Sequence, residues 1–373
     1  MSEHAHQHAA DQKQPLEPAT PRRPRNAPAT LRPGKLPPRL LERLLEECPT
    51  RGAGVILGPA YGEDAAVLEF GDRCLVAAAD PVTFAADALG YYAVVVNAND
   101  IATRGATPRW FLATVLLPAT ATEELARSIF QDIGRACREL GVLLVGGHSE
   151  VVAELPQAIV AGHMLGEVSR ANLRTTAAAR AGDLLLLTKS FPLEGAAILA
   201  RDFKDRLPAG AYRQEELAQA AAALFEPGIC VVRDAAAALK AGGVHALHDP
   251  TEGGLAEGIW ELATAAGLGA EVRAASLPLL PVAQRMCADL GLEPLGLIAS
   301  GSLLLAVAPE SAADVLRSLR ESRVSACAIG RLSAEPGVVL LTTEDGSQRP
   351  LPRFPVDELA RLIAGNDPLT PHP

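Results

Sequence analysis

The chain has 373 residues, 49% of them apolar and 21% charged, with a net charge of −10 and a pI near 5.4. That length holds two domains with cores of their own, and the acidic balance excludes a non-specific nucleic-acid binder, which needs a basic surface. The longest apolar runs, such as LLLLT at 184–188, are too short to span a bilayer. Cys48, Cys74, Cys137, Cys230, Cys287 and Cys327 form no Cys-x-x-Cys pair and read as reduced thiols. With no signal-peptide pattern at the start, a cytoplasmic location is expected.

Residues 1–33, rich in Pro, Ala and polar side chains, show no apolar period and read as a disordered tail. Its alternating His4, His6 and His8 and its PRRPR run read as solvated parts of that tail. Order is expected from LPPRLLERLLEE (36–47), where Leu40, Leu41, Leu44 and Leu45 recur at helical spacing. AAVLEFGDRCLVAAAD (65–80) predicts two strands around a Gly-Asp turn. Helices are predicted over 86–105 and over 122–141, the second from a Thr cap to Gly141. VLLVGG (142–147) predicts a buried strand and QAIVAGHMLGEV (157–168) another. Alternating strands and helices give an α/β or α+β first domain.

The pattern restarts near 170–180. A turn and a buried strand are predicted within 173–191, then helices around 194–206, 213–226 and 229–241. VHALHDPTEGGLAEGIWELATAAG (244–267) reads as strand, Gly-rich turn and helix; 302–308 and 337–342 read as strands around a helix at 310–321. The expected organisation is a tail over 1–33, domains over 34–172 and 173–345, and a C-terminal helix and tail over 346–373.

Four stretches place a carboxylate or amide where an apolar run meets a loop or helix: GEDAAV (62–67), AAADPVTF (77–84), VNANDIA (96–102) and HDPTEGGL (248–255). A fifth, VGGHSEV (145–151), ends an apolar run in Gly-Gly-His-Ser-Glu. Singly, each has a plain structural reading as a turn or a cap. Together they suit magnesium–nucleotide binding, because Mg²⁺ takes one or two carboxylates plus phosphate oxygens and water. Phosphates take backbone N–H groups at helix N-termini.

In this order the motifs resemble the aminoimidazole ribonucleotide (AIR) synthase-like superfamily over about residues 34–345, most of all its AIR synthase-related, HypE-like group. The resemblance implies ATP and Mg²⁺ as cofactors and a two-domain α/β (α+β) architecture. The first domain's sheet would form a barrel across a homodimer, with an α+β second domain behind. It implies Asp64, Asp80, Asp100 and Asp249 as metal ligands. Gly146, Gly147, Asn99, Asp80 and Glu252 would contact the nucleotide. His148, Glu150 and Lys35 would do chemistry: His148 as hydrogen-bond donor or proton shuttle, Glu150 as base or metal ligand, and Lys35 on phosphate, as in selenophosphate synthetase.

Glu63 stands where many relatives have Asp, and Ala78 and Ala79 replace hydroxyl-bearing residues. No Cys follows Cys327, so a carbamoylated terminal thiol like that of HypE proper is not expected. Lys35 has no reactive Cys before it, the thiamine-monophosphate kinase substrate segment is absent, and His148-Ser149-Glu150 replaces the AIR synthase loop. Two functions stay open. One is an ATP- and Mg²⁺-dependent enzyme activating an amide, thioamide or acid oxygen of a small-molecule or protein acceptor. The other is a non-catalytic ATP-binding partner or maturation accessory. Neither involves nucleic acid or membrane.

Overall fold

The computed structural model describes residues 35–83 and 87–365. The expected tail over 1–33 with its histidines, Phe84, and residues 366–373 lie outside the described residues. Within them, no helix is long and apolar enough to cross a membrane.

After α1 (Pro38–Leu45), the first sheet is built from β1 (Val55–Leu57), β2 (Ala66–Phe70) and β3 (Arg73–Val82), then α2 (Leu89–Thr103), β4 (Thr107–Pro118), α3 (Glu123–Leu140), β5 (Leu143–Val152) and β6 (Ile159–Ser169). Its order is β1-β2-β3-β6-β4-β5, and all pairs are antiparallel except β4 with β5. One face buries Val76, Phe111, Val115, Val160 and Met164 beneath α2 and α3. The alternate positions of these strands are only half covered, the pattern of a sheet with one open face. α3 is amphipathic and closed at both ends. Thr122 Oγ1 accepts from the Leu125 N–H at 3.3 Å, Glu123 and Glu124 sit in the first turn, and Gly141 ends the helix at φ 66°.

The second half begins with β7 (Leu184–Thr188), α4 (Leu193–Asp202), α5 (Gln214–Ala222), α6 (Val232–Ala241), β8 (Val244–His248), α7 (Gly254–Ala265) and β9 (Gly269–Arg273). It continues through α8 (Pro281–Leu290), β10 (Leu304–Val307), α9 (Ala312–Glu321), β11 (Ala326–Ser333), β12 (Val339–Thr342), β13 (Gln348–Pro350) and α10 (Glu358–Ile363). Seven strands run β13-β12-β9-β11-β7-β10-β8. The LLLLT run becomes the interior strand β7: Leu185 and Leu187 pack toward α7, and Leu186 toward α6 and α9. Helices on both faces explain why it reads as a continuous apolar run.

One expectation is met and one is corrected. The helix expected over 86–105 is α2, which carries Asn97, Asn99 and Asp100 and is buried at every residue except Val96. A helix buried all round shows no apolar stripe, so its valines mimic a strand. VLLVGG is a strand but not a buried one: β5 is the edge of the first sheet and is exposed along almost its whole length.

Asn99 fastens the two halves together. Its Nδ2 donates to the Ile229 carbonyl at 2.9 Å, and its Oδ1 accepts from the Val231 N–H at 2.8 Å, just before α6. Replacing it with an apolar residue orphans two buried backbone groups. Asn99→Leu is expected to lower unfolding free energy by roughly 2–4 kcal/mol in urea titrations, and a loss below about 1 kcal/mol would mean that the pairing does not matter.

Candidate functional site

A cleft of about 870 Å³ opens between the two sheets and their helices. Its walls include Lys35, Asp64, Asp80, Asp100, Asp249 and Glu252. Six of the sequence-predicted residues therefore meet in one place, from the segment before α1, the loop before β2, strand β3, helix α2 and the loop between β8 and α7.

The frame of this cleft is ionic. Arg104, just past the end of α2, is fully buried. Its Nη1 pairs with Glu63, and its Nη2 donates to Asp64 Oδ2 at 2.9 Å and Thr176 Oγ1 at 2.9 Å. Burial lowers its pKa to about 10, which leaves it charged at neutral pH. Glu63 also accepts from the N–H groups of Thr176 and Ala177, both at 3.1 Å. His248, at the end of β8, bridges Asp64 Oδ1 and Glu261 Oε2, each at 3.0 Å. Burial opposes its charge, but Asp64 and Glu261 outweigh this and raise its pKa to about 10. Burial likewise opposes ionisation of Glu261, yet Lys35 and His248 pull its pKa down to about 2. Lys35 Nζ reaches Glu252 at 3.5 Å, Glu261 at 3.7 Å and Thr251 Oγ1 at 3.3 Å across the mouth.

Asp100 and Asp249 are treated differently. They are 4% and 3% exposed. Asp100 Oδ2 and both carboxylate oxygens of Asp249 are buried without any hydrogen-bond partner. Burial first, then mutual repulsion with Asp64 and Asp80, holds both pKa values well above the carboxylate range. Orphaned buried oxygens are costly and rare enough to call for a reason. A cation supplies one, so the donor set fits Mg²⁺. Among the described residues no three His, Cys, Asp or Glu side chains converge as a complete metal site. That suits an ion holding one or two carboxylates and completing its shell with phosphate and water.

Asp80 ends its run on β3 with an exposed side chain, and its backbone is pinned by Asn97 through N–H to Oδ1 at 2.9 Å and Nδ2 to the carbonyl at 3.1 Å. Gly253 and Gly254, at φ 81° and 68°, enter α7 below Asp249; a Cβ on Gly254 would lie 2.4 Å from the Leu295 carbonyl.

Other expected residues are not in this cleft. Asn99 has both ends of its amide committed to backbone and offers nothing to a nucleotide in this arrangement. Gly146, Gly147, His148 and Glu150 lie on the open edge β5, where the His148 and Glu150 side chains are 66% and 53% exposed. β6 and β4 separate β5 from Asp80 on β3. Gly147 has a local cause: at φ 144° its Cβ would stand 1.9 Å from the Ala113 carbonyl, beside the register shift between β4 and β5. Reasoning from sequence gave no role to Arg104, Glu261, Tyr92, Glu194 or Asp357. The signal for Arg104 was a charge inside the otherwise small and apolar IATRGATP. Tyr92 was signalled by falling four and eight residues before Val96 and Asp100, on one helical face.

Residues 62–168 match the model for the AIR synthase related protein N-terminal domain, and 180–342 that for its C-terminal domain. The chain is 30% identical over 287 residues to "Carbamoyl dehydratase HypE" of Rhodobacter capsulatus, covering 76% of this chain and 81% of that one. It is 32% identical over 334 residues to "Selenide, water dikinase" of Burkholderia pseudomallei, covering 80% and 90%. The fold matches a crystal structure of the hydrogenase maturation protein HypE in complex with ATP, with TM-score 0.67, 24% identity and coverage of 86% and 96%.

Acids at the back of the cleft set a pH dependence. Burial raises Glu194 from 4.5 to about 8 and Asp357 from 3.8 to about 7. Each favours its protonated form in the folded state, so its contribution is present below the ordinary pKa and is lost as pH rises through the raised one. His248, raised from 6.5 to about 10, changes in the same direction. Stability of the unliganded chain is expected to fall steadily from about pH 5 to pH 9 in thermal unfolding, and a rise across that range would contradict the assignment.

Proposed function

The chain belongs to the AIR synthase-related family, and we propose that it is an ATP- and Mg²⁺-dependent enzyme that activates an oxygen of an amide, thioamide or acid by phosphoryl transfer. The observation that carries this reading is the set of orphaned carboxylate oxygens on Asp100 and Asp249 inside a cleft large enough for a nucleotide. HypE in complex with ATP and selenide, water dikinase are the relatives that support the nucleotide. Asp100 and Asp249, with Asp80 beside them, are the residues that would hold Mg²⁺. When bound, it supplies charge neutralisation at the phosphates. The protein's own contribution is positioning: Arg104 and His248 fix Asp64, α2 and β8 hold Asp100 and Asp249 in place, and Lys35 can swing from Glu252 and Glu261 to a phosphate. The domains are assigned to 34–172 and 173–345, with 346–373 following.

We further propose a homodimer in which a second copy covers β5 and the open face of the first sheet, closing a barrel. Leu143, Val145 and Val151 are 65%, 54% and 64% exposed on this edge. An exposed apolar edge strand of this length is a pairing surface. In such a dimer the Gly146-Gly147-His148 segment of β5 and Glu150 serve a cleft through the partner, which accounts for their distance from the cleft of their own chain.

Two measurements test these readings. Asp100→Asn and Asp249→Asn should each weaken calorimetric Mg-ATP binding by about tenfold or more and abolish phosphate release, while leaving the unliganded chain as stable or more stable. Unchanged binding and hydrolysis in both variants would refute the enzyme reading. Tight binding without release, even in cell extract, would favour a non-catalytic ATP-binding partner. Val145→Asp should convert dimer to monomer in light scattering and abolish turnover; an unaltered dimer would place the interface elsewhere.

A further inference from the structure

Tyr92, Val96 and Asp100 form one stripe of α2 facing the cleft. At 1.5 Å per residue, Tyr92 stands roughly 12 Å from Asp100 along the helix. At that end the Tyr92 side chain is 2% exposed and its hydroxyl has no partner. Glu194, brought from α4, is 5% exposed, and its Oε2 is also an orphan. Ser300, 1% exposed, hydrogen-bonds to Glu194, and Val96 and Ile298 add apolar wall. Both orphans line the same cleft, and burial, then the Glu194 charge, push the Tyr92 phenol up.

The charge around them decides what fits. The cations lining the described cleft are all engaged: Lys35 with Glu252 and Glu261, Arg353 with Glu257, and His248 with Asp64 and Glu261. Glu194 itself faces the charges of Glu252 and Asp357. Arg201, whose charge reaches Tyr92, is itself paired with Asp87, so a phosphate or carboxylate would find no free cation among the described residues lining this end. A group carrying N–H donors would satisfy the carboxylate, and a carbonyl beside it would satisfy the Tyr92 hydroxyl.

We propose that the Tyr92–Glu194–Ser300 end of the cleft is a binding subsite for the N–H₂-bearing end of a small neutral or cationic molecule, a primary amide or amine. Its role as acceptor subsite, with ATP phosphates at the Asp100–Asp249 end, rests on the function proposed above. The subsite itself does not.

The test is ligand-observed NMR at about pH 9, above the raised Glu194 pKa so that the carboxylate is ionised, on the full-length chain without nucleotide, using acetamide and acetamidine as probes and acetate as control. Both N–H₂ probes should bind in competition with each other, and acetate should not bind. Glu194→Gln should weaken acetamidine by at least about tenfold, the loss of a charge-assisted hydrogen bond. Tyr92→Phe, which removes only a hydroxyl, should weaken acetamide several-fold; thermal unfolding confirms that both variants fold. Failure of both N–H₂ probes to bind, acetate binding as well as acetamide, or affinities unmoved by both variants would overturn the subsite. ATP and inosine triphosphate, which lacks the base amine, settle the source of the donor. Their affinity ratio should be the same in Glu194→Gln as in the unaltered chain, and a collapsed ratio would assign Glu194 to the adenine amine instead. Failure of Mg-ATP to bind would sink the ATP reading alone, because the probes are read without nucleotide.

Discussion

The buried guanidinium of Arg104 is the constraint on which the site depends. It joins the end of α2 to Glu63 and Asp64 before β2, and to Thr176 and the Leu247 carbonyl of the second half. A charge in that position is tolerable only with its partners in place, and breaking such a pair costs about 3–5 kcal/mol because it strands the opposite charge. The geometry of Asp64 is therefore fixed from both sides, by Arg104 and by His248. Through His248 the same network extends to Glu261 and on to Lys35 at the mouth.

Against this satisfied frame, the unsatisfied groups are informative. Asp100 and Asp249 share the cleft with Asp64, but Asp100 Oδ2 and both carboxylate oxygens of Asp249 take no hydrogen bond. Their orphaned oxygens are an energetic cost in the unliganded chain, and such costs persist where a bound partner relieves them. Glu194 and Tyr92 repeat the pattern at the other end of the same α2 face. One cleft thus carries two sets of unpartnered polar groups, and the occupants proposed for them differ in chemistry: a divalent cation with phosphate for one, and an N–H donor for the other.

Much of this was legible in the residues, and the misses have physical causes. Asp64, Asp80, Asp100 and Asp249 stand out because ionisable groups inside apolar runs need a reason, and they do meet. α3 was readable from Thr122 to Gly141 because both of its caps are local chemistry. β5 was misread because an apolar run looks the same in sequence whether the fold covers it or leaves it on an open edge. The glycines of Gly146-Gly147 look like a phosphate loop, but Gly147 answers to the Ala113 carbonyl within its own sheet. Asn99 looked like a ligand because it sits beside Asp100, yet neighbours on a helix point about 100° apart, and it faces the second half instead. The pairings of Arg104 with Glu63 and of His248 with Glu261 depend on which loops meet, which no local pattern encodes.

The account rests on a cation seated between Asp100 and Asp249. The most direct test is a crystal of the full-length chain grown with a non-hydrolysable ATP analogue and Mn²⁺ in place of Mg²⁺, read by anomalous scattering. The account predicts a manganese peak in coordinating contact with carboxylate oxygens of both Asp100 and Asp249, bridging to phosphate oxygens. Nucleotide bound with the metal away from both residues, or in contact only with Glu252 and Glu261 at the mouth, would contradict it.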